Sequence, residues 1–152
     1  MPDETTETSS ATVGCVDASL VVRLLGADLA VLRVWERLAQ SNGDLISPSL
    51  LNYEVANALH QQQRLGLVPA ELAALQLDRC LRLPIGLHGD AQLHGRALEI
   101  AYERRLPVTY DAHYVALAER FRVPLWTCDR RLAAALGDGL LGDGLPEVHL
   151  VP

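Results

Sequence analysis

Val13-Gly14-Cys15-Val16 is an apolar run too short for a helix, and it stops at Asp17, after which Ser19 to Leu25 takes up helical spacing. A short buried strand that gives way to a helix at an acid restricts the fold strongly, because the chain repeats the pattern. Asp44-Leu45-Ile46-Ser47 predicts a second strand. Ser47-Pro48-Ser49 then starts a helix with proline in its first turn, running past Asn52, Glu54 and Asn57 to about Arg64 and stopping near Gly66. RLPVTYD (105–111) and RVPLWTCD (122–129) read as two copies of one turn-strand-helix joint, followed by the helical segments DAHYVALAERF and DRRLAAAL.

Between these units, Leu29 to Ala39 has helical spacing, and Pro69 opens another helix with Glu71 in its first turn, where the macrodipole favours an anion. Leu83 to Leu87 predicts a short edge strand, a place where Pro84 is tolerated, and Asp90 to Arg104 a further helix. Asp138-Gly139 and Asp143-Gly144 mark turns, and Glu147 to Val151 a final strand. Strands that alternate with helices imply a parallel α/β sheet covered on both faces. Residues 1–12 (MPDETTETSSAT) read as a disordered acidic tail, and 13–152 as one domain without an internal linker.

Composition removes several chemistries. All 13 basic residues are arginine, so a P-loop lysine and a Schiff-base amine are both excluded. Phosphoaspartyl enzymes, which share this α/β frame, normally place a lysine beside the phosphate, and the chain has none. Cys15, Cys80 and Cys128 are scattered and form no CxxC pair, which argues against a disulfide framework or a cysteine zinc site. The expected compartment is a reducing cytoplasm. No apolar run approaches the ~20 residues needed to cross a bilayer, and the acidic start is the reverse of a signal peptide.

Asp17, Asp111 and Asp129 each stand where an apolar segment gives way to a helix. In a parallel sheet such junctions gather at the carboxyl edge of the strands, where open α/β folds bind ligands. Aspartate is also a good N-cap, so capping alone accounts for any one of them. Glu54 lies inside a helix with Asn57 and Gln61 on its stripe and Leu51, Val55 and Leu59 on the opposite one. Its apolar neighbours Tyr53 and Val55 suggest a helix buried on most sides, and a carboxylate near a core needs an arginine or a metal. Carboxylates concentrated without lysine suit a hard divalent ion, Mg²⁺ or Mn²⁺. Ser19, Thr109 and Thr127 each lie two residues from one of the aspartates and are placed to orient carboxylates or metal waters. The five histidines (60, 88, 94, 113, 149) lack zinc spacing, and His88, His94 and His113 read as surface residues. Cys15 and Cys128 read as small packing residues beside the acids.

The strings VDASLVVRLL, ISPSLLNYEVANAL and YDAHYVALAERFRVPLWTCDRRLA, in that order, resemble the PIN-domain family, in particular VapC-type toxins of toxin–antitoxin pairs. The resemblance spans residue 13 to about 136. It implies a three-layer α/β/α sandwich with a parallel central sheet, in which Asp111 begins a helix without a full strand before it. It also implies that Asp17, Glu54, Asp111 and Asp129 bind Mg²⁺ or Mn²⁺ for RNA hydrolysis, supported by Ser19, Thr127 and Asn57. A small antitoxin partner and a homodimer follow from the same resemblance. Two other readings stay open: a catalytically inactive PIN-like binding module, and a phosphoaspartyl phosphatase with Asp17 as nucleophile.

Six arginines (104, 105, 120, 122, 130 and 131) fall within residues 104–131. Three of them, Arg104, Arg105 and Arg120, sit near predicted helix C-termini, where cations are favoured. Arg130 and Arg131 enter a first helical turn, where they are not, so a carboxylate or an RNA phosphate is the expected partner. Aromatic residues are few, so no base-stacking platform is evident. The net charge of −6 looks hostile to RNA. Setting aside the three tail acids and the four junction acids leaves 12 against 13 arginines, close to neutral.

Overall fold

The computed structural model describes residues 11–137 and 144–152. The chain runs β1 (Thr12–Val16), α1 (Ala18–Leu25), α2 (Leu29–Gln40), β2 (Asp44–Pro48), α3 (Leu50–Arg64) and α4 (Ala70–Leu81). It continues with β3 (Ile85–His88), α5 (Ala91–Glu103), α6 (Tyr110–Phe121), β4 (Leu125–Thr127), α7 (Arg130–Leu136) and β5 (Val148–Leu150). The five strands form one sheet in the order β3-β2-β1-β4-β5, and every pairing is parallel. This is the three-layer α/β/α sandwich expected from the alternation of short apolar runs and helices.

Period-two alternation sorts the core. Cys15 and Ile46 point into the layer built by α5, α6 and α7, whereas Val16 and Leu45 point into the layer of α1 to α4. Within the first layer α6 is buried nearly all round. Ala112 and the run Tyr114-Val115-Ala116-Leu117-Ala118 are all buried, and the alanines allow neighbouring elements to approach. The chain leaves β1 toward β2 and β3 on one side and reaches β4 and β5 on the other, so the order reverses between β1 and β4. In open parallel sheets ligands bind at such a reversal, outside the carboxyl ends of the strands.

Four local expectations need correction. RLPVTYD contains no strand: Arg105 has φ of +53°, Thr109 is already helical at φ −82° and ψ −11°, and Val108 is 46% exposed. The β-forming side chains there find no ladder, because β1 has β2 and β4 as neighbours on its two edges, and the chain turns directly from α5 into α6. Pro48 is not in the first turn of α3. It is the last residue of β2, paired with His88, and Ser49 N donates to His88 O at 2.8 Å. Tyr53 is not buried on α3 but 76% exposed, while Leu51, Val55 and Leu59 form the core stripe as expected. Thr12, assigned to the tail from sequence, pairs with Asp44 in β1. The remainder of that tail, residues 1–10, lies outside the described residues, as do the turn expected at Asp138-Gly139 and Asp143 of the next one.

Gly43 enters β2 where β1 begins. A Cβ there would lie 1.9 Å from Val13 Cγ1 and 2.5 Å from the backbone oxygen of Ala11. Gly43→Ala is therefore expected to destabilise the fold by about 1–3 kcal/mol, measured as a lower urea midpoint with an unchanged slope.

Candidate active site

Asp17 follows the last residue of β1 and caps α1, its Oδ1 accepting Leu20 N at 3.0 Å. Its own N–H donates to Trp126 O at 3.2 Å, tying the end of β1 to β4. Two hydroxyls complete its surroundings. Ser19 Oγ donates to Oδ1 at 2.7 Å, and Thr127 Oγ1 donates to Oδ2. Each hydroxyl also accepts from the backbone of the β4–α7 turn: Cys128 N reaches Ser19 Oγ and Asp129 N reaches Thr127 Oγ1, both at 2.9 Å. Thr127 is fully buried and Asp17 is 4% exposed. Burial raises the Asp17 carboxyl above its ordinary pKa, the hydroxyls and Leu20 N–H pull it back, and nearby Asp111 raises it again.

The other acids arrive on separate elements. Asp129 caps α7, its Oδ1 accepting Arg131 N at 2.8 Å and Leu132 N at 3.2 Å. Asp111 lies in the first turn of α6 and is raised by burial and then by Asp129, with Arg131 opposing. Glu54 projects from α3 and is raised by burial and further by Asp111 and Asp17, against the lowering effect of a hydrogen bond from Tyr114. Asp17, Ser19, Glu54, Asn57, Asp111, Tyr114 and Asp129 all line one cavity of about 250 Å³, with Thr127 held beneath Asp17. The structure thus gathers seven of the residues singled out from sequence, but not Thr109, which precedes α6 and does not line the cavity.

Tyr114 escaped the sequence reading. Its hydroxyl donates to Glu54 Oε2, it is 1% exposed, and burial beside Glu54 lifts its pKa far above the ordinary phenol range. The only signal was its position three residues after Asp111, the one polar-tipped side chain in a buried stretch of alanine, valine and leucine. The compensating group beside Glu54 is thus a phenol, where arginine or metal was expected. Arg130 and Arg131 are exposed, and none of the salt bridges among the described residues reaches Asp17, Glu54, Asp111 or Asp129. Arg120 owes its place to Asp90, the N-cap of α5, which it binds at 2.7 and 3.1 Å. Cys15 is buried against α6, its Sγ 3.7 Å from Tyr114 O, as a packing residue. Cys128 is half-buried beside the turn.

Four acids without a cationic partner leave a concentrated negative potential. Among the described residues, no three acidic, histidine or cysteine side chains are gathered tightly enough to enclose a bare ion. Mg²⁺ does not need such a cage, because it keeps several waters and takes only one or two carboxylates directly. An oxygen-only donor set around a cavity of this size fits a hydrated hard cation and does not fit zinc.

A PIN-domain profile matches residues 14–136. Ribonuclease VapC1 of Mycobacterium tuberculosis is 40% identical over 126 residues, covering 80% of this chain and 90% of that protein. The crystal structure of PAE2754 from Pyrobaculum aerophilum superposes with a TM-score of 0.63 at 32% identity, over 82% of this chain and 86% of that one. The structure of M. tuberculosis VapC20, a sarcin–ricin-loop-cleaving toxin, gives a TM-score of 0.57 at 20% identity over 80% and 94%, a likeness of fold. The chain belongs to the PIN-domain family, in its VapC-type branch. Among its described residues, no helix is long and apolar enough to cross a membrane.

Raised carboxyl pKa values have a definite sign in stability. At these three groups the folded protein binds protons more readily than the unfolded chain, so their contribution to stability is fully present below the ordinary carboxylate range and is lost as pH rises through the raised values. Asp111→Asn removes one such charge and relieves two others. It should raise the melting temperature of the metal-free protein at pH 7.5 and have little effect at pH 4, with added Mg²⁺ narrowing the difference.

Proposed function

We propose that this chain is a divalent-cation-dependent endoribonuclease and the toxin of a toxin–antitoxin pair. The supporting observation is the convergence of four carboxylates, from the ends of β1 and β4 and from α3 and α6, on one cavity without a bridging arginine. The ribonuclease name of the relative that matches 80% of the chain points the same way. Asp17, Glu54, Asp111 and Asp129 would hold one or two Mg²⁺ or Mn²⁺ ions. When bound, the cation supplies a Lewis acid for phosphodiester hydrolysis and neutralises the charge that builds at the phosphate.

The chain's own groups have distinct parts. Ser19 and Thr127 fix both oxygens of Asp17 and link them to the backbone after β4, so this carboxylate cannot swing. Tyr114 holds Glu54 by a proton donated to Oε2. Asn57 lies on the cavity wall, where its amide would help to orient the cluster. Arg131, whose charge already acts on Asp111, is placed to meet an RNA phosphate. The phosphatase alternative is disfavoured by the state of Asp17: a carboxylate 4% exposed, with both oxygens accepting hydrogen bonds, is poorly presented as a nucleophile.

Asp17→Asn is expected to abolish cleavage of single-stranded RNA while circular dichroism stays native, and EDTA should silence the wild type. Cleavage that survives both treatments would refute the metal mechanism. The partner proposed is a small antitoxin that covers the acidic cavity. Co-expression with the product of the adjacent upstream reading frame should yield a stable complex with suppressed cleavage, and the free chain is proposed to be a homodimer, as equilibrium sedimentation would report.

A further inference from the structure

A second cavity, of about 360 Å³, lies between the start of α3, the β3–α5 turn and the start of α6. It shares two walls with the acidic pocket. Tyr53 precedes Glu54 on α3 and Tyr110 precedes Asp111 on α6, and successive helical residues point about 100° apart. Each helix thus turns a carboxylate into one cavity and an aromatic ring into the next. The rings are 76% and 54% exposed, and both border the same cavity.

The far wall is histidine. His113 Nδ1 lies 2.7 Å from Thr109 O, and since a carbonyl only accepts, that nitrogen carries a hydrogen. Its Nε2 then accepts from His94 Nδ1 at 2.9 Å in the neutral pair, which leaves His94 Nε2 as an unprotonated acceptor at the exposed end. His88 also lines the cavity, and no aspartate or glutamate does. Exposed ring faces, an imidazole acceptor at the edge and the absence of carboxylates suit a flat heteroaromatic group that carries N–H donors and is attached to phosphates. The volume suits a base with its ribose.

We propose that this cavity holds one unpaired base of a single-stranded RNA whose backbone continues into the acidic pocket, an inference that rests on the ribonuclease reading above. Tyr53 and Tyr110 supply stacking faces, and the His94–His113 pair reads the base edge. Few aromatic residues in the sequence do not preclude a stacking platform, because the fold brings two of the four tyrosines to the cavity beside the acids.

The test is equilibrium binding of fluorescein-labelled single-stranded RNA hexamers with a hydrolysis-resistant phosphorothioate backbone to the full chain by anisotropy, in Mg²⁺. Tyr53→Ala combined with Tyr110→Ala should weaken binding roughly tenfold or more, whereas the matching double Phe variant stays within about twofold, since ring faces and not hydroxyls are used. His94→Ala should change the ranking of U, C, A and G hexamers. Unchanged affinity in the double Ala variant would overturn the proposal. So would the loss of a homodimer in sedimentation without loss of RNA binding. Wild-type cleavage in Mg²⁺ with the same KM and cut sites in the double Ala variant removes the base site and leaves the ribonuclease reading standing. A wild type that neither binds nor cleaves RNA removes both.

Discussion

A carboxylate 4% exposed at the end of the central strand must have its lone pairs matched by donors, and the arrangement of β4, α1 and α7 follows from that requirement. Asp17 meets it with one helix N–H and two hydroxyls, and those hydroxyls in turn accept from the two backbone amides after β4. The parallel pairing of Cys15 with Leu125 and Val16 with Trp126 brings Thr127 under Asp17. Sheet register, the β4–α7 turn and the orientation of the acid are therefore one connected hydrogen-bonded unit, and such a unit is stronger than its separate bonds.

The same burial leaves the site electrostatically unfinished. Three of the four acids are raised by desolvation, and each is raised further by another acid of the group. Among the described residues Arg131 partly relieves Asp111, and no salt bridge reaches the group. Arg23, Arg82, Arg96 and Arg120 form salt bridges elsewhere, with Asp28, Asp78, the glutamates 99, 103 and 119, and Asp90. Those bridges tie together helix ends and faces, including α5 to α6 through Arg96–Glu119 and Arg120–Asp90. These four arginines thus act as fasteners, and no salt bridge among the described residues closes off the acidic cavity, which is what the proposed capture of a cation would need.

The fold was legible wherever a short apolar run ended at an acid or a proline, because burial on both faces leaves a continuous apolar signature. β1, β2 and β4 were read in this way, whereas β3 was read as an edge strand from Pro84 and β5 from the short run Glu147 to Val151. The reading failed at RLPVTYD, where Val108 and Thr109 have β propensity but the sheet offers no free edge beside β1, so tertiary position overrode local preference. The acids were found because the carboxyl edge of a parallel sheet gathers strand–helix junctions. Glu54 was found for a different reason, an acid flanked by apolar residues, and one of those flanks, Tyr53, is exposed. Tyr114 stayed hidden because a buried phenol inside a core helix looks like packing until its partner is seen.

Net charge misled for a related reason. A chain at −6 is expected to repel RNA, yet four of the acids meet in one cavity that, on the proposed reading, a divalent cation would neutralise, and no acid among the described residues lines the adjoining cavity. RNA binding by such a surface would draw on cation bridging and stacking more than on arginine–phosphate pairs. Few counterions are then displaced from the RNA, and affinity should depend weakly on monovalent salt and strongly on the divalent ion. That is the opposite of a basic nucleic-acid-binding face, and it follows from where the 19 acids sit and not from their number.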